Sequence, residues 1–146
     1  MIYSRGCEYA IRALAYMANQ SDTRFVSAKE IGKKEGVPTF FLAKTLQKLA
    51  KAGVLRSFKG PTGGFGLARP PKRITLYDIV EAIDGTSDLN RCAAGLVACS
   101  DAAPCPLHHQ FKKVREQVKQ YLRRQTVADL ARTVAEKKRL LSRRKG

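Results

Sequence analysis

Acidic side chains are scarce in this chain. Twelve Asp and Glu stand against 28 Lys and Arg, a formal charge of +16 over 146 residues. So lopsided a balance suits a polyanionic partner, although charge alone does not choose DNA over RNA or a membrane surface. Long apolar runs are also lacking, as is a signal peptide, so the expectation is a cytoplasmic protein without a membrane partner. There is no internal repeat and no low-complexity linker. Catalytic constellations are missing too: no zincin motif, no nucleophile elbow and no convincing pair of carboxylates, which argues against an enzyme. The glycine-rich stretch Gly60–Gly66 lacks a following Gly-Lys-Ser/Thr and leads into a strand, so it is not a phosphate-binding loop.

What is present is helical periodicity. Ser4 can cap a first helix whose stripe is Cys7, Ile11, Leu14 and Ala18, with Glu8 and Arg12 four apart on another face. Ser27-Ala28-Lys29-Glu30 reads as a capping box for a second helix that Gly36 ends. A third helix starts at about Pro38–Thr39, buries Leu42, Leu46 and Leu49, and stops at Gly53. Val54–Phe58 and Phe65–Ala68 then read as two strands around the turn Lys59-Gly60-Pro61-Thr62-Gly63-Gly64. Thr75–Asp78 begins another capped helix ending at Gly85. Pro106 can open a long helix with Cys105 as its cap, whose residues Phe111, Val114, Val118, Tyr121 and Gln125 form a narrow seam, widened by Leu122. Thr126–Leu130 opens a last helix that packs back.

The order helix, turn, helix, hairpin is that of a winged helix-turn-helix. The fold class is therefore mainly α: a winged helix-turn-helix domain over residues 1–85 with a two-stranded wing, a cysteine loop over 86–107, and a long C-terminal dimerisation helix. That helix and its packing helix occupy 108–136, followed by a basic tail over 137–146 expected to fray. In such a domain the second helix of the motif enters the major groove and the wing follows phosphates. With the leucines buried, Thr39, Phe40, Lys44, Gln47 and Lys48 face outward. Gln47 can read adenine, Phe40 can touch a thymine methyl, and the lysines can meet guanine or phosphate. In the wing, Arg56 and Lys59 are placed to neutralise phosphates, and Gly60, Gly63 and Gly64 permit close backbone approach. The alternative is that Phe40 and Phe41 are both core and the lysines only solvate a helix.

Three of the four cysteines, Cys92, Cys99 and Cys105, fall within fourteen residues of a loop rich in Ala, Gly, Ser, Asp and Pro, and His108 follows closely. Such a loop packs poorly by itself but suits a metal or an iron–sulfur cluster, since thiolates are soft ligands. In a reducing compartment, ligands are favoured over structural disulfides. A closed Cys₃His zinc site is the alternative cofactor. A metal-free thiol-redox sensor is the other, although a Cys-x-x-Cys arrangement is missing.

Together these pieces resemble the Rrf-two family of bacterial winged-helix regulators, the IscR/NsrR-type iron–sulfur sensors, up to about residue 135. The resemblance rests on Tyr9–Leu14, Phe41-Leu42, Lys59–Phe65, Ile74–Val80 and the three-cysteine loop. It implies a transcriptional regulator, a homodimer binding double-stranded, pseudo-palindromic operator DNA, with a cluster near the dimer helix controlling affinity. It also implies Cys92, Cys99 and Cys105 as cluster ligands. Better-known members space these cysteines by five, whereas here the first gap is six, so both 2Fe-2S and 4Fe-4S types stay open. For the fourth ligand, His108 matches the histidine position of the IscR-type members. Glu8 matches a carboxylate that in relatives can reach the partner subunit's cluster, and its alternative is a salt bridge to Arg12. Cys7 sits on the buried stripe, which favours packing.

Overall fold

The structure is a computed structural model that describes residues 2–20, 24–61, 63–97 and 99–145. Thr62 of the wing turn and Ala98 of the cysteine loop lie outside the described residues. Six helices and one hairpin follow in order: α1 (Arg5–Ala18), α2 (Ala28–Glu35), α3 (Thr39–Lys51), β1 (Leu55–Phe58), β2 (Gly64–Leu67), α4 (Leu76–Ile83), α5 (His108–Arg124) and α6 (Val127–Arg144). Single 3₁₀ turns lie at Pro71–Arg73 and Ser87–Asn90. α1 packs against α3, α4 and α6. Its stripe, Cys7, Ala10 and Leu14, meets Leu42, Leu46 and Leu49 of α3 and Leu76 and Ile79 of α4 in one core that also takes in Leu122 and Val127.

Local signals end most elements where the sequence places them. Ser4 accepts from the amide of Cys7 at the start of α1. Gly36, at φ 67°, closes α2 in the left-handed conformation that glycine adopts without a Cβ clash. The wing is antiparallel, with Leu55 opposite Leu67 and Phe58 opposite Gly64. Phe65 also exchanges two backbone bonds with Val26 (2.9 and 2.8 Å), so the wing base is stitched to the segment before α2. Gly64 permits this close approach, because a Cβ there would lie 2.6 Å from the carbonyl oxygen of Val26. Thr75 with Asp78, and Thr126 with Asp129, form full capping boxes on α4 and α6. The two caps are joined across the chain, Leu76 N–H donating to Gln125 O and Val127 N–H to Ile74 O, both at 2.8 Å.

Four local expectations are corrected. Ser27 caps α2 by accepting from the Glu30 amide, but the Glu30 carboxylate does not turn back to complete the box. It accepts from Tyr16 Oη at 2.7 Å and from Arg24 instead, two partners outside the helix that outcompete one amide. Arg12 does not pair with Glu8; its Nε reaches the buried carboxylate of Glu35 at 3.3 Å. α5 begins at His108, not Pro106, and Leu107 rather than Cys105 is its cap residue. The Cys105 carbonyl is taken by the amide of His108 (3.0 Å) in a tight turn, which leaves Cys105 outside the helix. The tail does not fray at residue 137. α6 continues to Arg144, lies along α1, and places Lys138 Nζ 2.6 Å from Glu35.

Candidate functional site

Two surfaces collect the residues singled out from the sequence. On the first, Thr39, Phe40, Lys44, Gln47 and Lys48 are all exposed on α3, while Leu42, Leu46 and Leu49 are fully buried beneath them. Phe40 is 74% exposed and Lys44 Nζ stands 4.5 Å over its ring; Phe41 turns instead edge-on to Tyr9 at 5.5 Å. Both phenylalanines are thus exposed, Phe41 less so at 46%. Arg56, Lys59 and Gly60 are exposed on the wing, with Gly63 and Gly64 half-buried beside them. Among the described residues, none of Lys44, Lys48, Arg56 and Lys59 has a salt-bridge partner. Exposed cations without intramolecular ion pairs leave a positive surface available to an anion.

The second surface is the cysteine loop against α5. It holds two donor pairs. Cys92 Sγ lies 3.7 Å from Cys105 Sγ, and Cys99 Sγ lies 3.3 Å from His108 Nδ1. All four cysteines are free, the loop thiols are half-buried, and His108 is only 5% exposed. The backbone amides of Leu96 and Ala94 point at Cys92 and hold its thiol below the ordinary value, which favours a thiolate. Arg115 Nη2 lies 3.2 Å from Cys99 Sγ and 3.3 Å from the carbonyl of Arg91. On the far side of His108, Nε2 is 2.7 Å from Asp101 Oδ1, and Lys112 Nζ is 3.0 and 2.8 Å from the two oxygens of that carboxylate. Lys112 first, then His108, pulls the Asp101 carboxyl down to about 2.

Neither other candidate ligand joins this group. Cys7 is fully buried on α1, and burial followed by its hydrogen bond to Asp84 pushes its thiol up to about 12, keeping it protonated. Glu8 is half-buried in the first turn of α1 and makes no salt bridge among the described residues. Reading of the sequence missed Asp101, Lys112 and Arg115. A signal existed: His108, Lys112, Arg115 and Lys119 recur at i, i+4, i+7 and i+11, one face of α5. Lys119 extends the same clasp to Asn90 Oδ1 at 2.7 Å. The other face, Phe111, Val114 and Tyr121, is 40–50% exposed, while Leu122 is buried in the core. No helix among the described residues is long and apolar enough to cross a membrane.

Residues 3–133 match the Rrf2 family, described as an iron-dependent transcriptional regulator. A putative HTH-type transcriptional regulator of Aquifex aeolicus is 39% identical over 132 residues, which is 89% of this chain and 91% of that protein. Among solved structures, the global cysteine regulator CymR of B. subtilis superposes with a TM-score of 0.72 at 23% identity, over 89% of this chain and 95% of that one. The IscR of T. potens superposes at 0.71 and 24% identity, over 90% and 86%. These likenesses confirm the mainly helical winged-helix fold expected from the sequence. With its exposed α3, its charged wing and a family match over nearly its whole length, the chain belongs to the Rrf2 family of transcriptional regulators.

Proposed function

We propose that this regulator binds double-stranded operator DNA as a homodimer, and that an iron–sulfur cluster held by Cys92, Cys99, Cys105 and His108 sets its affinity. The observation that carries the cluster reading is the pairing of donors in the loop. Two thiolates on one tetrahedral metal, each about 2.3 Å from it, stand about 3.8 Å apart, and a thiolate and an imidazole slightly less. The Cys92–Cys105 and Cys99–His108 separations, 3.7 and 3.3 Å, fit two such edges. Among the described residues, the group whose donor atoms all lie within 4.8 Å of one another is Asp101, His108 and His109, and it contains no thiol. Two separate pairs suit a group with two ligands on each of two irons better than one closed zinc site. A bound cluster supplies a centre that responds to iron supply and oxidants.

The chain's own residues supply the rest. The amides of Leu96 and Ala94 favour a Cys92 thiolate, and the Arg115 guanidinium offsets charge at Cys99. His108 and Arg115 lie on α5, whose exposed apolar seam is the proposed dimer contact. Order in the loop can therefore set how α5 presents its seam, and hence the spacing of the two α3 helices on DNA. On the reading helix, Thr39, Phe40, Lys44, Gln47 and Lys48 contact the major groove; Arg56, Lys59, Gly60, Gly63 and Gly64 follow the phosphates. Operator DNA places this work in the cytoplasm.

The test is an anaerobic ultraviolet–visible spectrum of protein purified without oxygen. The expected protein is brown, bleaches in air, and loses its colour in Cys92→Ala, Cys99→Ala or Cys105→Ala. A colourless protein with stoichiometric zinc would overturn the cluster. A second reading, a metal-free thiol switch, is favoured by the 3.7 Å Cys92–Cys105 approach. It predicts a colourless, zinc-free protein in which peroxide joins these two sulfurs.

A further inference from the structure

We propose that Asp101 is a positioning residue for His108, holding the ring so that Nδ1 is the nitrogen offered on the side of Cys99. The inference rests on the ligand reading just given and names the residue that prepares the ligand. A neutral imidazole has one donor nitrogen and one acceptor nitrogen, and the partner of one decides the role of the other. His108 is buried, so both nitrogens need partners within the protein. Its Nε2 meets a carboxylate oxygen at 2.7 Å. With a carboxylate as its partner Nε2 is the donor, so in the neutral ring Nδ1 keeps its lone pair. That lone pair faces Cys99 Sγ at 3.3 Å.

Lys112 completes the device. It follows His108 by one helical turn and contacts both oxygens of Asp101, which fixes that carboxylate in place. Asp101 itself lies in the loop, two residues after Cys99, so one carboxylate ties the middle of the loop to the first turn of α5. Carboxylate, imidazole and ligand position in series are the arrangement that orients metal-bound histidines and makes them stronger donors. Asp101 needs only a hydrogen-bonding geometry to do this, and no contact with the metal.

The ring nitrogens can be read directly. The chain has two histidines, so ¹⁵N correlation spectra of the reduced, metal-free, untagged protein show two rings, and His109→Gln assigns them. The expected result is a single Nε2–H tautomer for His108 in the unsubstituted protein. Asp101→Ala gives a mixture of tautomers, Asp101→Asn a partial return, and Lys112→Met keeps the original tautomer. In protein loaded anaerobically with ferrous iron and sulfide, Asp101→Ala weakens iron retention about 10–100-fold, and Lys112→Met does so less. An Nδ1–H tautomer in the unsubstituted protein, or a tautomer unaltered by Asp101→Ala, overturns the proposal. If unsubstituted protein takes up no iron, the cluster reading fails instead, and the tautomer measurement still decides what Asp101 does.

Discussion

Replacing Phe40 and Leu42, two residues apart on α3, should separate DNA reading from folding. Phe40 is 74% exposed, so only about a quarter of its burial is at stake, roughly 0.4–0.8 kcal/mol of the 1.5–3 kcal/mol for a full side chain. Its contact with Lys44 is an exposed cation–π pair, adding about 0.5–1 kcal/mol. Phe40→Ala should therefore cost about 0.9–1.8 kcal/mol, or roughly 3–6 °C in a chain of this size. Leu42 is fully buried in the core, and Leu42→Ala should cost about 2–5 kcal/mol and lower the melting temperature by roughly 6–15 °C. The order reverses on DNA. Losing one apolar base contact of about 1 kcal/mol from each recognition helix of a dimer weakens operator binding by about 2 kcal/mol, near 30-fold. Leu42→Ala, measured well below its melting point, should stay within about threefold of the parent. Thermal unfolding by circular dichroism and anisotropy of a labelled operator selected from random DNA, at one salt concentration, supply both columns. Equal stability losses, or an operator affinity indifferent to Phe40→Ala, would refute the assignment of this face.

The remaining expectations are briefer. Lys59→Ala should lower the slope of log affinity against log salt by about one unit, equally for specific and random DNA, whereas Gln47→Ala should cost about 1–3 kcal/mol and relax preference at one base pair per half-site. Glu35→Ala should destabilise more than Lys138→Ala, because Glu35 is buried and also bonds Arg12, while Lys138 leaves Glu35 with Arg12; urea titrations should put the Lys138 effect at about 1 kcal/mol. Burial opposes ionisation of Asp84, but hydrogen bonds from the hydroxyl and amide of Ser4 outweigh it and hold the carboxyl below its ordinary value. That contribution is present above the unfolded carboxylate value of about 3.9 and lost as pH falls through the lower folded value, so the melting gap between parent and Asp84→Asn should shrink from pH 7 to pH 3. Arg115→Ala should shift the midpoint of a reductive titration of cluster-loaded protein to more negative potential, since a cation on Cys99 favours the more reduced, more negative form; no shift would remove Arg115 from the site.

Much of this was legible locally. Gly36 and Gly53 end helices because only the backbone at those positions matters, and Leu42, Leu46 and Leu49 are buried because their spacing leaves no other face. What failed to be legible is long-range. Glu30 left its capping box for Tyr16 and Arg24, and Arg12 left Glu8 for Glu35. Lys138 pairs with a residue 103 positions away, so composition suggested a frayed tail where a helix continues. In the cysteine loop, spacing identified the thiols but not which lie together, because Ala, Gly and Pro leave many loop paths that only packing against α5 distinguishes. Asp101 escaped notice as one acid in a polar loop; its role needs the ring of His108 beside it.

The stitched caps at Thr75 and Thr126 give α5 unequal ends. Its C-terminal end is fixed by the bonds of Gln125 to Leu76 and of Val127 to Ile74 at the start of α4, and Leu122 is sunk in the core just before it. Its N-terminal end is held through side chains of the cysteine loop. Seventeen residues make a rod about 25 Å long, so a tilt of about 10° about the fixed end carries His108 about 4 Å and Tyr121 less than about 1 Å. A change in the loop therefore moves the far end of the seam greatly and the near end hardly at all. Two such rods paired in a dimer would open and close like the blades of shears, converting a rearrangement of a few ångströms among sulfurs into an angle between the two DNA-binding halves.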